Sequence, residues 1–310
     1  MKLNVLKQAS LPDALTAELA RRYHLVELTA LTDADFRALA GTFTVLITNG
    51  EATVTRALIA SLPALELIAV FGVGYDGVDV QAAAEHQVRV SHTPGVLTDD
   101  VADLALGLML ATSRQIVAAH KFIEAGEWAA GGFPWTQKVS GSRVGIVGMG
   151  RIGQAIARRC EGFAMQIAYH DRKRLPALNY AWREDLLTLA AESDFLVICT
   201  PGTAANQGLI NQPVLAALGE KGILINISRG SVIDEPALVA ALESGIIAGA
   251  GLDVFSHEPA VPAGLLQRSN VVVTPHMASA TWSTRAAMAQ LVLDNVACWA
   301  EKKALVTPVA

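Results

Sequence analysis

Cysteine is scarce in this chain: Cys160, Cys199 and Cys298 are the only three in 310 residues. They are odd in number, widely spaced and set among apolar neighbours. That excludes a disulfide framework and points to free, buried thiols in a reducing cytoplasm. Positive charge is scarce as well. The formal net charge is −5, and the only basic run is Arg172-Lys173-Arg174. The electrostatic footprint of a nucleic-acid binder is therefore missing. Long apolar runs are also missing: Val101 to Thr112 is about half of the ~20 residues that a membrane span requires, and it carries Asp103. Met1 to Leu6 is too short for a signal-peptide core and reads as a first strand. Neither a nucleic acid nor a membrane is an expected partner. No cluster of His, Cys and carboxylate shows metal-ligand spacing, so no metal site is expected.

What the chain has is apolar residue in quantity, 52% against 17% charged. Its length exceeds what one core usually serves, so two domains are expected. Up to about residue 98, short apolar runs alternate with helical patterns. Val45-Thr48, Leu67-Phe71 and Val88-Val90 read as strands; Pro12-Arg21, Thr53-Ala60 and Val80-His86 read as helices. Such alternation builds a parallel sheet covered on both faces. A long helix is expected from Asp99 to Ala118, with Thr98 as N-cap and two aspartates in the first turn. After a less regular stretch to residue 142, six strands separated by helices are expected: 144–147, 166–169, 195–198, 223–226, 248–252 and 271–273. That series predicts a doubly wound dinucleotide fold. A final helix, Thr281 to Lys302, has no domain assignment from pattern alone.

The glycine fingerprint of dinucleotide binding occurs twice, so context must choose between the copies. Gly148, Gly150 and Gly153 follow a clean strand and open a helix over 151–163; the next strand leads into Asp171, 18 residues after Gly153. Glycines there let the backbone approach a pyrophosphate at a helix N-terminus, and a carboxylate there accepts bonds from ribose hydroxyls. Gly72, Gly74 and Gly77 are followed by a shorter helix and a strand with no acid at its end. That copy is either a plain tight turn or, through the N–H groups of Val73 and Gly74, a nest for a substrate carboxylate. Asp171 repels a 2′-phosphate and favours NAD(H), whereas Arg172 directly after it makes NADP(H) possible.

Three further motifs lie at successive strand ends of the same sheet: Asn226-Ile-Ser-Arg229-Gly230, Asp253-Val-Phe-Ser-His-Glu258-Pro259 and Thr274-Pro-His276-Met-Ala-Ser-Ala-Thr281. A histidine suits proton donation and abstraction because it titrates near neutrality. A carboxylate on its far nitrogen favours the imidazolium and selects the tautomer. Arginine supplies planar, two-point contact with a carboxylate. Each residue alone has an ordinary explanation: a structural histidine, an exposed turn, a surface ion pair. Their joint placement beside a nucleotide loop points instead to hydride transfer onto a 2-keto acid. His24, His86 and His120 fall on helical or surface segments, and His257 fits no role in that chemistry.

These residues resemble the D-isomer-specific 2-hydroxyacid dehydrogenases, and within them the glyoxylate/hydroxypyruvate reductase branch with its plant-type hydroxyphenylpyruvate reductases. The likeness runs through Val73-Asp76, His92-Asp103, Gly148-Gly153, Asn226-Gly230, Gly251-Pro259 and Pro275-Thr281, nearly the whole chain. It implies an α/β protein of two doubly wound parallel-sheet domains. One would be a flavodoxin-like substrate domain from residues 1–98 and 283–310; the other would be a Rossmann-type nucleotide domain from 99–282. It implies that Arg229 binds substrate, that Glu258 and His276 form the acid–base relay, and that Val73 and Gly74 hold the substrate carboxylate. Cofactor contacts are implied at Arg151, Ile152, Asp171, Thr200, Pro201, Asp253 and Ala278. Homodimers are usual in the family, and Trp135 resembles a tryptophan that reductases of this branch lend to the partner subunit's site.

Two departures stand out. Pro201-Gly202-Thr203 replaces a commoner Pro-Leu-Thr, and Ala278 replaces glycine in Pro-His-x-Gly-Ser. Among competing readings, formate dehydrogenase pairs its histidine with glutamine, which Glu258 argues against. Phosphite dehydrogenase keeps all three groups. An NAD-sensing regulatory protein on the same scaffold would carry peptide-docking or disordered extensions, and none is expected here.

Overall fold

A computed structural model describes residues 2–309; Met1, in the expected first strand, and Ala310 lie outside the described residues. The chain forms two compact units, Met1–Leu97 with Ala280–Ala310, and Thr98–Ser279.

The first unit is built on β1 (Asn4–Lys7), α1 (Asp13–Arg22), β2 (His24–Glu27), α2 (Asp33–Leu39), β3 (Phe43–Asn49), α3 (Arg56–Ala60), β4 (Leu67–Phe71), α4 (Val80–Glu85) and β5 (Arg89–Ser91). Its five strands are parallel, in the order β2-β1-β3-β4-β5, a flavodoxin-like arrangement. All five residues of β4 are buried, as expected of a central strand covered on both faces. Leu6, Phe43, Leu46, Ile59, Ile68 and Val70 anchor one side of the core. The C-terminal helix, Trp282–Ala300, packs on β4 and closes this unit. Asn295 Nδ2 donates to Thr307 Oγ1 at 2.8 Å, and Val309 N–H donates to the Val90 carbonyl at 2.8 Å.

Two elements of this unit escaped the sequence pattern. The strand β2 is a half-exposed edge with no continuous apolar run, and α2 buries no residue at all. Helix α3 is shorter than the expected Thr53–Ala60. Thr55 is its N-cap, accepting from the Leu58 N–H at 3.2 Å, and Val54 instead bridges to Val78.

The second unit carries α5 (Thr98–Ser113), α6 (Ile116–Glu124), β6 (Arg143–Val147), α7 (Arg151–Glu161), β7 (Gln166–His170), β8 (Ala181–Trp182), α8 (Leu186–Ala191), β9 (Phe195–Ile198), α9 (Gln212–Leu218), β10 (Ile223–Asn226), α10 (Glu235–Glu243), β11 (Gly249–Leu252), α11 (Ala263–Leu266) and β12 (Val271–Val273). Its parallel sheet runs β12-β11-β10-β9-β6-β7-β8, with the chain reversing direction between β6 and β9. That is the doubly wound dinucleotide order extended by one strand. The two-residue β8 was not expected; it is too short to show a period.

One expectation fails. The single helix foreseen from Asp99 to Ala118 is two helices, bent by 54° at Gln115, which has a left-handed backbone (φ +48). Half of α5 is buried, packed on β10, β11 and β12, whereas α6 buries nothing. No glycine or proline announces the bend. Among the described residues, no single helix is long and apolar enough to cross a membrane; α5 and α6 pass only as a bent pair.

Candidate active site

In the first unit, Gly77 meets backbone: a Cβ there would lie 2.4 Å from the Ala52 carbonyl oxygen. Helix α4 behind it is capped by Asp79, whose Oδ1 accepts the Ala82 N–H at 2.7 Å. The second glycine copy therefore lacks the open helix terminus that a pyrophosphate needs. Val73 uses its carbonyl to hold the His92 ring (Nδ1 at 2.9 Å), and Tyr75 packs edge-on against that ring.

The copy in the second unit is built differently. Gly148 has φ +94, a conformation that costs glycine little. A Cβ on Gly153 would lie 2.2 Å from the Gly148 carbonyl oxygen, so the helix can press against the loop only with glycine at that position. Gly150 is the N-cap of α7, has no side chain with which to satisfy the first N–H groups, and faces open space. Those donors and the helix dipole suit a pyrophosphate, so the loop fits a dinucleotide. Arg151 is exposed and Ile152 half-buried at the same turn. Asp171, just past β7, secures the loop: its Oδ2 accepts the Met149 N–H at 2.9 Å and its Oδ1 accepts the Arg172 N–H at 2.7 Å. Each carboxylate oxygen still has a lone pair for a ribose hydroxyl. Thr200 and Pro201 are tied by a residue that no sequence motif singles out. Asn206 Nδ2 donates to Thr200 Oγ1 and to the Pro201 carbonyl, both at 2.9 Å.

Arg229 follows β10 on a short segment organised by Asn226, which is fully buried. Asn226 Nδ2 donates to the Arg229 carbonyl at 2.9 Å, and Asn226 Oδ1 accepts from the Ser228 N–H and hydroxyl at 3.0 Å each. Arg229 Nη1 donates to the Ser228 carbonyl at 2.7 Å. Gly230 then lies flush against the next loop: a Cβ there would overlap the Phe255 carbonyl carbon, at 1.8 Å. The segments carrying Arg229 and Glu258 are thus in backbone contact.

Glu258 and His276 meet. His276 Nδ1 lies 2.7 Å from Glu258 Oε2, and the two side chains are 26% and 25% exposed respectively. Glu258 Oε1 accepts the Phe255 N–H at 2.9 Å. Burial alone would push the Glu258 carboxyl up. The hydrogen bond from His276, the Phe255 N–H, and the charges of His276 and Arg229 outweigh it and hold Glu258 below its ordinary value. By reciprocity, the ionised Glu258 favours the imidazolium form of His276.

Asp253, expected as a cofactor contact, sits beneath the site rather than on its surface. It is 0% exposed. Its Oδ1 accepts from Thr274 Oγ1 at 2.6 Å and the Met277 N–H at 2.9 Å, and its Oδ2 accepts the Ala278 N–H at 2.9 Å. His276 between them has φ +49, and its N–H donates to the Asp253 carbonyl at 2.8 Å. Burial raises the Asp253 carboxyl above its ordinary value, against those three hydrogen bonds and the His276 charge. Ala278 is buried and serves this turn through its N–H. Trp135 is fully exposed.

Residues 106–278 match the NAD-binding domain of the D-isomer-specific 2-hydroxyacid dehydrogenases. A hydroxyphenylpyruvate reductase of Plectranthus scutellarioides is 45% identical over 309 residues, 99% of each chain. The chain belongs to the D-isomer-specific 2-hydroxyacid dehydrogenase family. A glyoxylate/hydroxypyruvate reductase of Arabidopsis thaliana is 40% identical, again over 99% of each chain. Among solved structures, an NADPH-dependent glyoxylate/hydroxypyruvate reductase from Sinorhizobium meliloti, in complex with NADP and malonate, superposes with a TM-score of 0.93. It is 42% identical, and the likeness covers 100% of this chain and 97% of that one. A 2-hydroxyacid dehydrogenase from Ketogulonicigenium vulgare Y25 gives the same TM-score and identity, covering 100% and 99%. As a member of this family, the protein is an NAD(P)-dependent oxidoreductase with a Rossmann domain.

The Gly202 departure acquires a physical meaning beside Arg229. A Cβ at Gly202 would lie 2.7 Å from Arg229 Cγ and 3.0 Å from its Cβ, too close for the arginine stem to stay where it is. Gly202→Leu, which restores the commoner triplet, is expected to displace Arg229 and raise the KM for a 2-keto acid about tenfold, ~1.4 kcal/mol. The KM for NADH should stay within about twofold. An unchanged keto-acid KM in steady-state assays would show that the arginine stem has slack.

Proposed function

We propose that this enzyme reduces a small 2-keto acid such as glyoxylate or hydroxypyruvate to the D-2-hydroxy acid, with His276 as proton donor, Glu258 as its partner and Arg229 as the substrate's cationic anchor. The observation that carries this reading is the 2.7 Å contact between His276 Nδ1 and Glu258 Oε2 within electrostatic reach of Arg229. When bound, the reduced nicotinamide supplies the hydride. His276 Nε2 gives its proton to the carbonyl oxygen as the hydroxyl forms, and Glu258 stabilises the imidazolium beforehand. The guanidinium of Arg229 binds the substrate's carboxylate or keto oxygen in a planar fork. In the first unit we assign the N–H groups of Val73 and Gly74 to the substrate carboxylate. The cofactor is assigned to Gly148, Gly150, Gly153, the start of α7, Asp171 and the loop at Thr200 and Pro201. Glu258 disfavours the formate-type alternative, since that chemistry needs no such relay.

His276→Ala and Arg229→Ala should each lower kcat/KM for glyoxylate or hydroxypyruvate by far more than tenfold, while NADH still binds by fluorescence titration. Activity within about tenfold of wild type in either variant would remove the assigned role, since that is only ~1.4 kcal/mol of transition-state stabilisation.

Cofactor preference is read from Asp171, which favours NAD(H), with Arg172 admitting NADP(H). Asp171→Asn keeps an oxygen for the Met149 N–H and removes the charge that repels a 2′-phosphate. The ratio of kcat/KM with NADPH to that with NADH should rise at least about tenfold. A ratio unchanged within twofold would assign the discrimination elsewhere.

We further propose a homodimer. Helix α6 buries no residue, and Ile116, Val117, Ile123, Trp128 and Trp135, on and after it, are exposed large apolar side chains. A second copy of the chain covers them in our reading. Sedimentation equilibrium should give twice the chain mass, and Ile116→Asp with Ile123→Asp should halve it. A monomeric wild type would end this proposal.

A further inference from the structure

Glu235 opens helix α10, and an acid in a first turn is ordinarily explained by the helix dipole. Here the cap is already supplied: Asp234 Oδ1 accepts the Ala237 N–H at 3.1 Å. Glu235 reaches elsewhere. Its Oε1 accepts the Ser256 N–H at 2.7 Å, across 21 positions of sequence. Ser256 lies in the loop between Asp253 and Glu258. The N–H before it, that of Phe255, donates to Glu258 Oε1. Two consecutive N–H groups are therefore held by two carboxylates, one from α10 and one from the relay itself. The same loop also rests on Gly230, where any side chain would overlap the Phe255 backbone. Glu235 rides on the same segment as Arg229, six residues further on, so its bond ties the arginine segment to the glutamate segment.

We infer that Glu235 is a positioning residue for the proton relay: by holding the Ser256 N–H it keeps Glu258 within hydrogen-bond reach of His276. It acts through the backbone of the loop, at the Ser256 N–H. This inference rests on the relay proposed above and goes beyond it. A released loop leaves Glu258 free to drift from Nδ1, and the imidazolium loses its partner. The alkaline limb of the kcat profile for keto-acid reduction, where His276 loses its proton, then moves to lower pH.

The test compares Glu235→Ala, Glu235→Gln and Glu258→Gln in the full-length enzyme, with kcat measured against pH. Glu258→Gln should move the alkaline limb to lower pH. Glu235→Ala should move it the same way and lower kcat by about tenfold or more, with the KM for NADH within about twofold. Glu235→Gln presents an amide oxygen to the same N–H and should return kcat to within about threefold of wild type, with the limb restored. Glu235→Asp, one methylene shorter, serves if the alanine variant does not fold, and should show the same limb shift. If Glu258→Gln moves the limb while neither shortened variant at 235 does, the positioning role is overturned and the relay stands. Failure of the glutamine to restore the limb overturns it as well. A limb unmoved by Glu258→Gln removes the relay itself.

Discussion

A histidine held in the left-handed region is the constraint on which the rest of the site depends. At φ +49, His276 occupies a conformation that costs a β-carbon residue about 1 kcal/mol. It persists because the turn around it is over-determined. Asp253, at the end of β11, accepts from Thr274, Met277 and Ala278, and its own carbonyl takes the His276 N–H. A buried carboxylate thus organises a turn of backbone donors, and the imidazole is aimed by the backbone rather than by a rotamer alone.

Two carboxylates at this site have opposite environments. Burial raises Asp253, so its charge costs stability as pH rises above its ordinary titration range. Glu258 is held low by its donors and cationic neighbours, so its contribution is present above the ordinary carboxylate range and is lost as pH falls through the depressed value. The separation distinguishes the two: Asp253 shapes the turn, and Glu258 is the carboxylate held ionised beside His276.

Two glycine loops with the same spacing are built differently. What matters is the helix terminus behind them. In the first unit Asp79 satisfies it; in the second Gly150 leaves it open, and Asp171 braces the loop through the Met149 N–H. The six-residue α4 and the eleven-residue α7 differ accordingly in what they can offer an anion.

Much of this was legible in the chain itself. Buried parallel strands announce themselves as unbroken apolar runs, so β4, β9, β10 and β12 are found where the sequence places them. The motif residues Arg229, Glu258 and His276 could be picked out because each lies in a loop that follows a strand of one sheet. Edge strand β2, polar helix α2 and two-residue β8 could not, since they bury too little to imprint a period. The bend at Gln115 carries no glycine or proline to mark it. Nor could the sequence say that Glu235 reaches Ser256, that Asn206 holds Thr200, or that Gly202 makes room for the Arg229 stem. No period or motif encodes those contacts, and only the packing of loops at the sheet's end decides them. Composition and periodicity determined the two α/β units and the residue types of the chemistry. The tertiary structure alone decided which oxygen faces which nitrogen, because hydrogen bonds depend on distance and direction rather than on order in the chain.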